Sequence, residues 1–399
     1  MSKAGKNTHM EHLEDEIINK GTEGGKQAIK ILKEMAKFLD GTGRSGAAVT
    51  VKWDGAPAVV CGTDPSDGQF FVGTKSVFAQ NSKLCKSTKE VNELYSGALA
   101  QKLIASYEHL KDCNIKGVIQ GDLMFTDDKS TKVIDNKSYI TFRPNTITYA
   151  VVPDSKLGKE INRSTLGIVF HTKYTGSTLA TMTSSFDVTE SDFKSNTTTW
   201  IATAEFQDIG GVAKLDGGQR DKYMAAVRRA EGSLRASRKV LDEIQSGKKT
   251  LGVDTEFKKF FNNYVKANQP IPSVASAYND FMIHMGKEYD KKIQPLKTLK
   301  SQEKKVHQFV ETIDFLMSNE REVKMAIATY MNLQFCKNIL VEKMKKVQKL
   351  NLFVDMGNGD YKVTADEGYV AISGRNAVKL VDRLEFSKLN FTVPKQWDK

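Results

Sequence analysis

The chain has 399 residues, 40% hydrophobic and 27% charged, with a formal net charge of +11 and a mean hydropathy of −0.42. That length allows roughly two or three domains, and the sequence has no apolar run of about 18 residues that would span a bilayer. The polar start MSKAGKNTHMEHLEDEI lacks the apolar core of a signal peptide, and four dispersed cysteines without a CxxC pair give neither a zinc ribbon nor a disulfide framework. These features predict a soluble protein with no membrane association in a reducing, cytoplasmic compartment.

Taken in chain order, Ala28, Ile29, Ile31, Leu32, Met35 and Phe38 follow helical spacing and predict a helix over 23–39. Short β-branched or aromatic runs follow: AAVTVKW, PAVVC, QFFVG, KGVIQGDLMF, SYITF, TITYAVV and GIVFHTK. Gly, Asp and Pro turns separate them, so they read as strands, interrupted by one helix over 88–110. The Ser/Thr-rich stretch 176–196 has no period and predicts loops and weak strands. From 217 to 350 the pattern is helical, punctuated by Pro270, Pro272 and Pro295. There Val306, Phe309, Val310, Ile313 and Met317 predict a buried stripe, which Met331, Phe335 and Ile339 continue in a later helix. Strand texture returns in NLFVDM, DYKVT, GYVAIS and AVKLV. The expected organisation is α+β: an N-terminal helical segment (1–45), a core begun in 46–212, a large α-helical insertion (213–350), and the rest of the core in 351–399.

Charge follows the same division. Residues 216–350 hold 26 Lys and Arg against 16 Asp and Glu, while the rest of the chain holds 33 against 32. A basic segment on a neutral core points to a polyanion such as nucleic acid, because phosphate contacts release condensed counterions. Arg228, Arg229, Arg235, Arg238, Lys343, Lys345 and Lys346 are the candidate nucleic-acid-binding residues, and a solvated helix face is the other meaning of such runs.

Lys52-Trp53-Asp54-Gly55 ends the first strand run. A lysine is nucleophilic only when deprotonated, and burial at a strand end or nearby cations lower its ordinary pKa of about 10.4. Gly55 lets backbone and phosphate approach, and Asp54 can orient the loop. The same pattern at Lys214-Leu215-Asp216-Gly217 precedes a helical stretch and reads as the turn that opens a helix. Only Lys52 is followed in order by Lys75 in FFVGTKSVF, Asp122 in VIQGDL, Phe170 in GIVFHTKY, Glu367 in EGYV and Lys379 in AVKL.

These elements, in this order, resemble the covalent nucleotidyltransferase superfamily, which includes ATP-dependent DNA and RNA ligases and mRNA capping enzymes; the sequence also looks like ligase-like proteins of tailed phages. The similarity covers roughly 45–176 and 351–385, and not the helical insertion. It implies a nucleotidyltransferase (ligase adenylation domain) core of two packed antiparallel sheets with the nucleotide between them. It implies Lys52 as the catalytic residue that attacks the α-phosphorus of ATP, within a nucleotide-binding set of Lys52, Asp54, Gly55, Lys75, Asp122, Phe170, Glu367 and Lys379. In that set Lys75 would contact the nucleotide or an acceptor phosphate and Phe170 would stack on the base. Asp122 would hold the ribose or a hydrated Mg²⁺ or Mn²⁺, Glu367 would help bind that ion, and Lys379 would contact the α-phosphate. The implied activity is that of an ATP-dependent, RNA-ligase-like polynucleotide ligase joining 5′-phosphate and 3′-hydroxyl ends of RNA or DNA. The alternatives are a capping-type guanylyltransferase and a nucleic-acid-binding protein with a degenerate nucleotide pocket.

Two positions depart from the family pattern. Pro57 stands where many ligases have Arg, with Arg143 or Lys75 as candidate substitutes. Val381 stands where a second lysine is common, with Arg383 as its candidate replacement. The 16 residues after Arg383 are too few for an OB fold, which favours the RNA-ligase-like layout.

Overall fold

The computed structural model describes residues 11–40, 47–206, 213–347, 351–357, 360–363, 368–374 and 376–384. The chain begins with helices α1 (Glu16–Asn19) and α2 (Gly21–Asp40), then strands β1 (Ala47–Lys52), β2 (Ala58–Thr63) and β3 (Phe70–Gly73). Helices α3 (Thr88–Leu94) and α4 (Gly97–Leu110) lead to strands β4 (Val118–Thr126), β5 (Ser130–Ile134), β6 (Lys137–Phe142) and β7 (Ile147–Val151). Helix α5 (Lys156–Arg163) and strands β8 (Leu166–Thr175), β9 (Thr183–Ser185) and β10 (Thr199–Thr203) follow. The helical run is α6 (Gly217–Ala236), α7 (Arg238–Ser246), α8 (Val253–Lys266), α9 (Val274–Ile293), α10 (Leu299–Ser318) and α11 (Glu320–Met344). Last come β11 (Asn351–Gly357), β12 (Asp360–Val363), β13 (Gly368–Ser373) and β14 (Asn376–Leu380). The protein is α+β, and none of its described helices is long and apolar enough to cross a membrane.

The chain divides into two discontinuous units. One comprises Met1–Ala48, Asp208–Val347 and Tyr369–Thr392, and the other Val49–Gln207, Gln348–Gly368 and Val393–Lys399. The N-terminal helices, expected as a segment of their own, thus belong with the helical run, as do the strands from Tyr369 onward.

In the β-rich unit, one sheet has the order β10-β8-β4-β2-β3 with β9 on β8, and another the order β12-β11-β7-β6-β5. Pairing is antiparallel except between β10 and β8. Side chains alternate along each strand, so Val59, Cys61, Ile119, Leu123, Ile168 and Phe170 form a core on one face with Val91, Leu103 and Leu110 of α3 and α4. The other face carries Val60, Val118 and Tyr174, with Gln120 accepting the Tyr174 hydroxyl at 2.7 Å.

In the helical unit, Gly25 of α2 sits where a Cβ would lie 2.5 Å from Leu234 of α6, so the two helices meet closely there. A buried ionic network joins distant parts of the chain. Lys337 on α11 and Glu14, ahead of α1, are both fully buried and pair at 2.6 Å. Arg383 is also buried; it lies 3.3 Å from Asp15, donates to the Tyr330 hydroxyl at 2.8 Å, and bonds Asn262. Burial raises the Asp15 pKa to about 6 against the pull of Arg383.

The stripe expected to be buried on α10 is only partly covered: Phe309 and Ile313 are half-buried and Val306, Val310 and Met317 exposed, while the helix's buried positions are Thr312 and Leu316. On α11 the buried face holds Leu333, Cys336 and Leu340, and Phe335 is exposed. Helical periodicity shows which residues share a face, but neighbouring helices decide which face is covered.

Candidate active site

Lys52 is half-buried at the end of β1. Main-chain bonds fix that strand: Val51 N–H donates to Ala204 O at 2.6 Å, and Phe206 N–H to Val49 O at 2.9 Å. The loop after it, 53–57, is held at three points.

Trp53 provides the first. Its ring stacks on Tyr149 at 5.4 Å and meets Trp200 edge-on at 6.3 Å. The cluster continues through Phe125 and Phe142, so rings from both sheets share it. Each such contact contributes about 0.5–1.5 kcal/mol beyond simple burial.

Asp54 provides the second. Its buried carboxylate accepts from Asn145 Nδ2 and Thr146 N–H at 2.7 Å each and from Ile147 N–H at 2.8 Å. Its own N–H donates to the Tyr149 hydroxyl at 2.7 Å. Burial raises its pKa, opposed by those three hydrogen bonds and by the charge of Lys52. Asp54 therefore positions the lysine loop on β7, and its carboxylate is occupied by that task.

Gly55 provides the third, against β4. A Cβ there would lie 2.5 Å from Asp122 Cβ and 3.0 Å from Leu123 O. Ala56 N–H donates to Leu123 O at 3.0 Å, and Leu123 N–H to Pro57 O at 3.1 Å. Gly55→Ala is expected to lose about 1–3 kcal/mol of stability through overpacking against a strand backbone. Urea denaturation reads this directly, and an unchanged midpoint would refute the close approach.

Asp122, on β4, is thus brought against the lysine loop. Its half-buried carboxylate lies 3.6 Å from His171 Nε2, and His171 Nδ1 is 2.7 Å from Thr172 Oγ1. His171 is the extra residue where the β4–β8 register shifts from Gln120↔Thr172 to Gly121↔Phe170. Such a bulge re-aims a side chain; here it turns His171 toward Asp122.

From the sequence alone His171 reads as a satisfied polar residue rather than a catalyst, because a bulge leaves no mark in the pattern. Lys75 is exposed at the start of a 3-10 turn capped by Thr74, one residue beyond β3.

Phe170 is a correction. It is 0% exposed in the core and packs on Phe193 at 5.6 Å, so it has no face open to a base. Alternation sends it to the face covered by α3 and α4. Glu367 lies outside the described residues. Lys379 is half-buried on β14 in the helical unit, opposite Val370, and its N–H donates to Glu11 O at 2.9 Å. Arg383 is engaged in the buried network above and is not free to replace a second motif lysine. At the second motif match, Asp216 caps α6 in a capping box with Gln219, and Lys214 is exposed before it.

Of the candidate nucleic-acid-binding residues, Arg228, Arg229, Arg235, Arg238 and Lys346 are exposed. Lys343 is buried with its ammonium 3.7 Å from Asp216, and Lys345 is half-buried 4.0 Å from Asp382, so both are turned inward. Arg235 and Arg238 line a groove of about 690 Å³ whose opposite wall is Lys26, Lys30 and Lys33 of α2. Those three lysines were absent from the expected set, although their i, i+4, i+7 spacing was readable as one helix face.

No curated protein and no solved structure matches the chain. A family-level match spans residues 7–395, and the chain belongs to that family, a family of unknown function (DUF6267).

Proposed function

We propose that the protein is an ATP-dependent polynucleotide ligase, RNA-ligase-like in layout, that loads AMP onto Lys52. The observation that carries this reading is the triple fixing of the 53–57 loop, which anchors the chain directly after Lys52 and lays Gly55 against Asp122. A positioned nucleophile is what nucleotidyl transfer requires of a protein.

In the loading step the neutral Lys52 amine attacks the α-phosphorus of ATP. An N–P bond forms, the α–β bridging P–O bond breaks, pyrophosphate leaves, and the amine releases a proton. The AMP then passes to a 5′-phosphate and is displaced by a 3′-hydroxyl.

A nucleotide-bound Mg²⁺ keeps most of its ligands as water and phosphate oxygens. The single half-buried carboxylate of Asp122 fits that demand, although the described residues bring no three metal-ligating groups together. When bound, the ion would draw charge from the phosphate oxygens.

Incubation with α-³²P-ATP or α-³²P-GTP and Mg²⁺, followed by a denaturing gel, tests the reading. An acid-labile label from ATP is expected. A label from GTP alone would favour the capping-type reaction, and none from either nucleotide would leave the nucleic-acid-binding reading. For the polynucleotide, the wall of Lys26, Lys30, Lys33, Arg235 and Arg238 is the proposed contact. Lys30→Glu with Arg235→Glu is expected to weaken filter binding of single-stranded RNA or DNA at least tenfold and to flatten its salt dependence. An unchanged salt slope would remove this groove from the reading.

A further inference from the structure

Leu299, Val306, Val310 and Met317 of α10 are 77%, 44%, 47% and 60% exposed. At 3.6 residues per turn they fall within a stripe about 40° wide. The buried positions Thr312 and Leu316 lie on a different face, and Phe309 packs on Tyr289 at 4.7 Å. Four large apolar side chains aligned on one outward face are more than the scattered exposure ordinary on a soluble protein.

Their spacing is symmetric. Residues 299, 306, 310 and 317 are mirrored about 308. We propose that this stripe is the contact between two copies of the chain, paired antiparallel about a two-fold axis at Gln308. Leu299 then meets the partner's Met317, and Val306 meets the partner's Val310, so each helix supplies the surface the other needs. A self-complementary contact of this kind closes at two copies.

Charge selects both the occupant and its direction. Residues 299–308 carry Lys300, Lys304 and Lys305 against Glu303, whereas 309–318 carry Glu311 and Asp314 and no cation. Lys305 turns away over the Tyr289 ring, so on the flank of the stripe an antiparallel copy lays Lys300 and Lys304, with Glu303 between them, on the partner's Asp314 and the partner's Glu311. A parallel copy would oppose like charges along the whole seam. Lys300 and Asp314 share one flank of the stripe, and the axis brings Lys300 within a turn of the partner's Asp314.

One helix pair is a small interface, and small interfaces are weak. Sedimentation of the full chain from about 1 to 200 µM is therefore expected to show the mass rising from 44.5 kDa toward twice that value. Val310→Glu is expected to hold it at the monomer mass with an unchanged circular dichroism spectrum, since Val310 faces solvent. Lys300→Glu and Asp314→Lys should each weaken the dimer several-fold, and together restore it. A wild-type chain that stays monomeric across the range overturns the proposal, as it would if another protein or a nucleic acid covered the stripe. Undiminished dimerisation of Val310→Glu overturns it too, and failure of the double exchange to restore pairing overturns the antiparallel register.

Discussion

Replacing Lys52 by alanine is expected to remove the covalent nucleotide label, by at least about 10³-fold, while Lys214→Ala leaves it at the wild-type level. The contrast follows from local structure. Both lysines precede Asp-Gly, but the two aspartates do different work. Asp54 ties its loop to Asn145, Thr146 and Ile147, whereas Asp216 caps a helix and leaves Lys214 exposed to water. An amine must be held against the phosphorus to compete with solvent, and only Lys52 has a fixed loop behind it. Lys52→Arg should fail equally, because a guanidinium stays protonated and cannot attack. A label retained in Lys52→Ala but lost in Lys214→Ala would reverse the assignment.

Breaking the buried pair should have the largest effect on stability. Lys337→Met leaves the fully buried Glu14 carboxylate with only Arg383, 3.9 Å away and engaged by Asp15, to offset its charge, which is expected to cost about 3–5 kcal/mol. Removing both charges as Glu14→Leu with Lys337→Met should recover most of that loss, since two apolar side chains avoid the desolvation of two ions. Thermal melts of the single and double variants check this, and a single variant as stable as the wild type would refute the pairing.

The neighbouring Asp15 adds a pH signature. Its folded pKa of about 6 lies above the unfolded value of about 3.9, so the folded state binds the proton more tightly. Its contribution is greatest below about pH 4 and is lost as pH rises through 6. Against Asp15→Asn, the wild type should therefore lose about 2 kcal/mol between pH 4 and 7.

Much of this was legible in the sequence. The helix at 21–40, the strand runs β1–β4 and β6–β8, the long helical stretch and the turn at Asp216 are local consequences of apolar spacing and capping chemistry, whereas β5 and α5 carried no such pattern and the one helix expected over 88–110 is two, α3 and α4. The illegible parts are tertiary. Phe170 belongs to a strand as expected, but which face of that strand α3 and α4 cover is settled by packing. The α10 stripe was visible as a stripe and invisible as a surface. Lys343 and Arg383 looked like available cations until Asp216 and Asp15 were placed beside them. The Asp122–His171 approach depends on one inserted residue in β8, which no period can signal.

The buried pair also bears on how the molecule is made. Glu14 and Lys337 are 323 residues apart, and Asp15 and Arg383 are 368 apart. At roughly 5–20 residues per second, the ribosome delivers Lys337 about 16–65 s after Glu14. Throughout that interval the Glu14 carboxylate lacks the lysine it pairs with, although α6, on which α2 packs, is made sooner. Excising the helical run would leave the finished chain in the same condition. The part played by its cations is therefore better probed by single exchanges on an intact chain than by truncation.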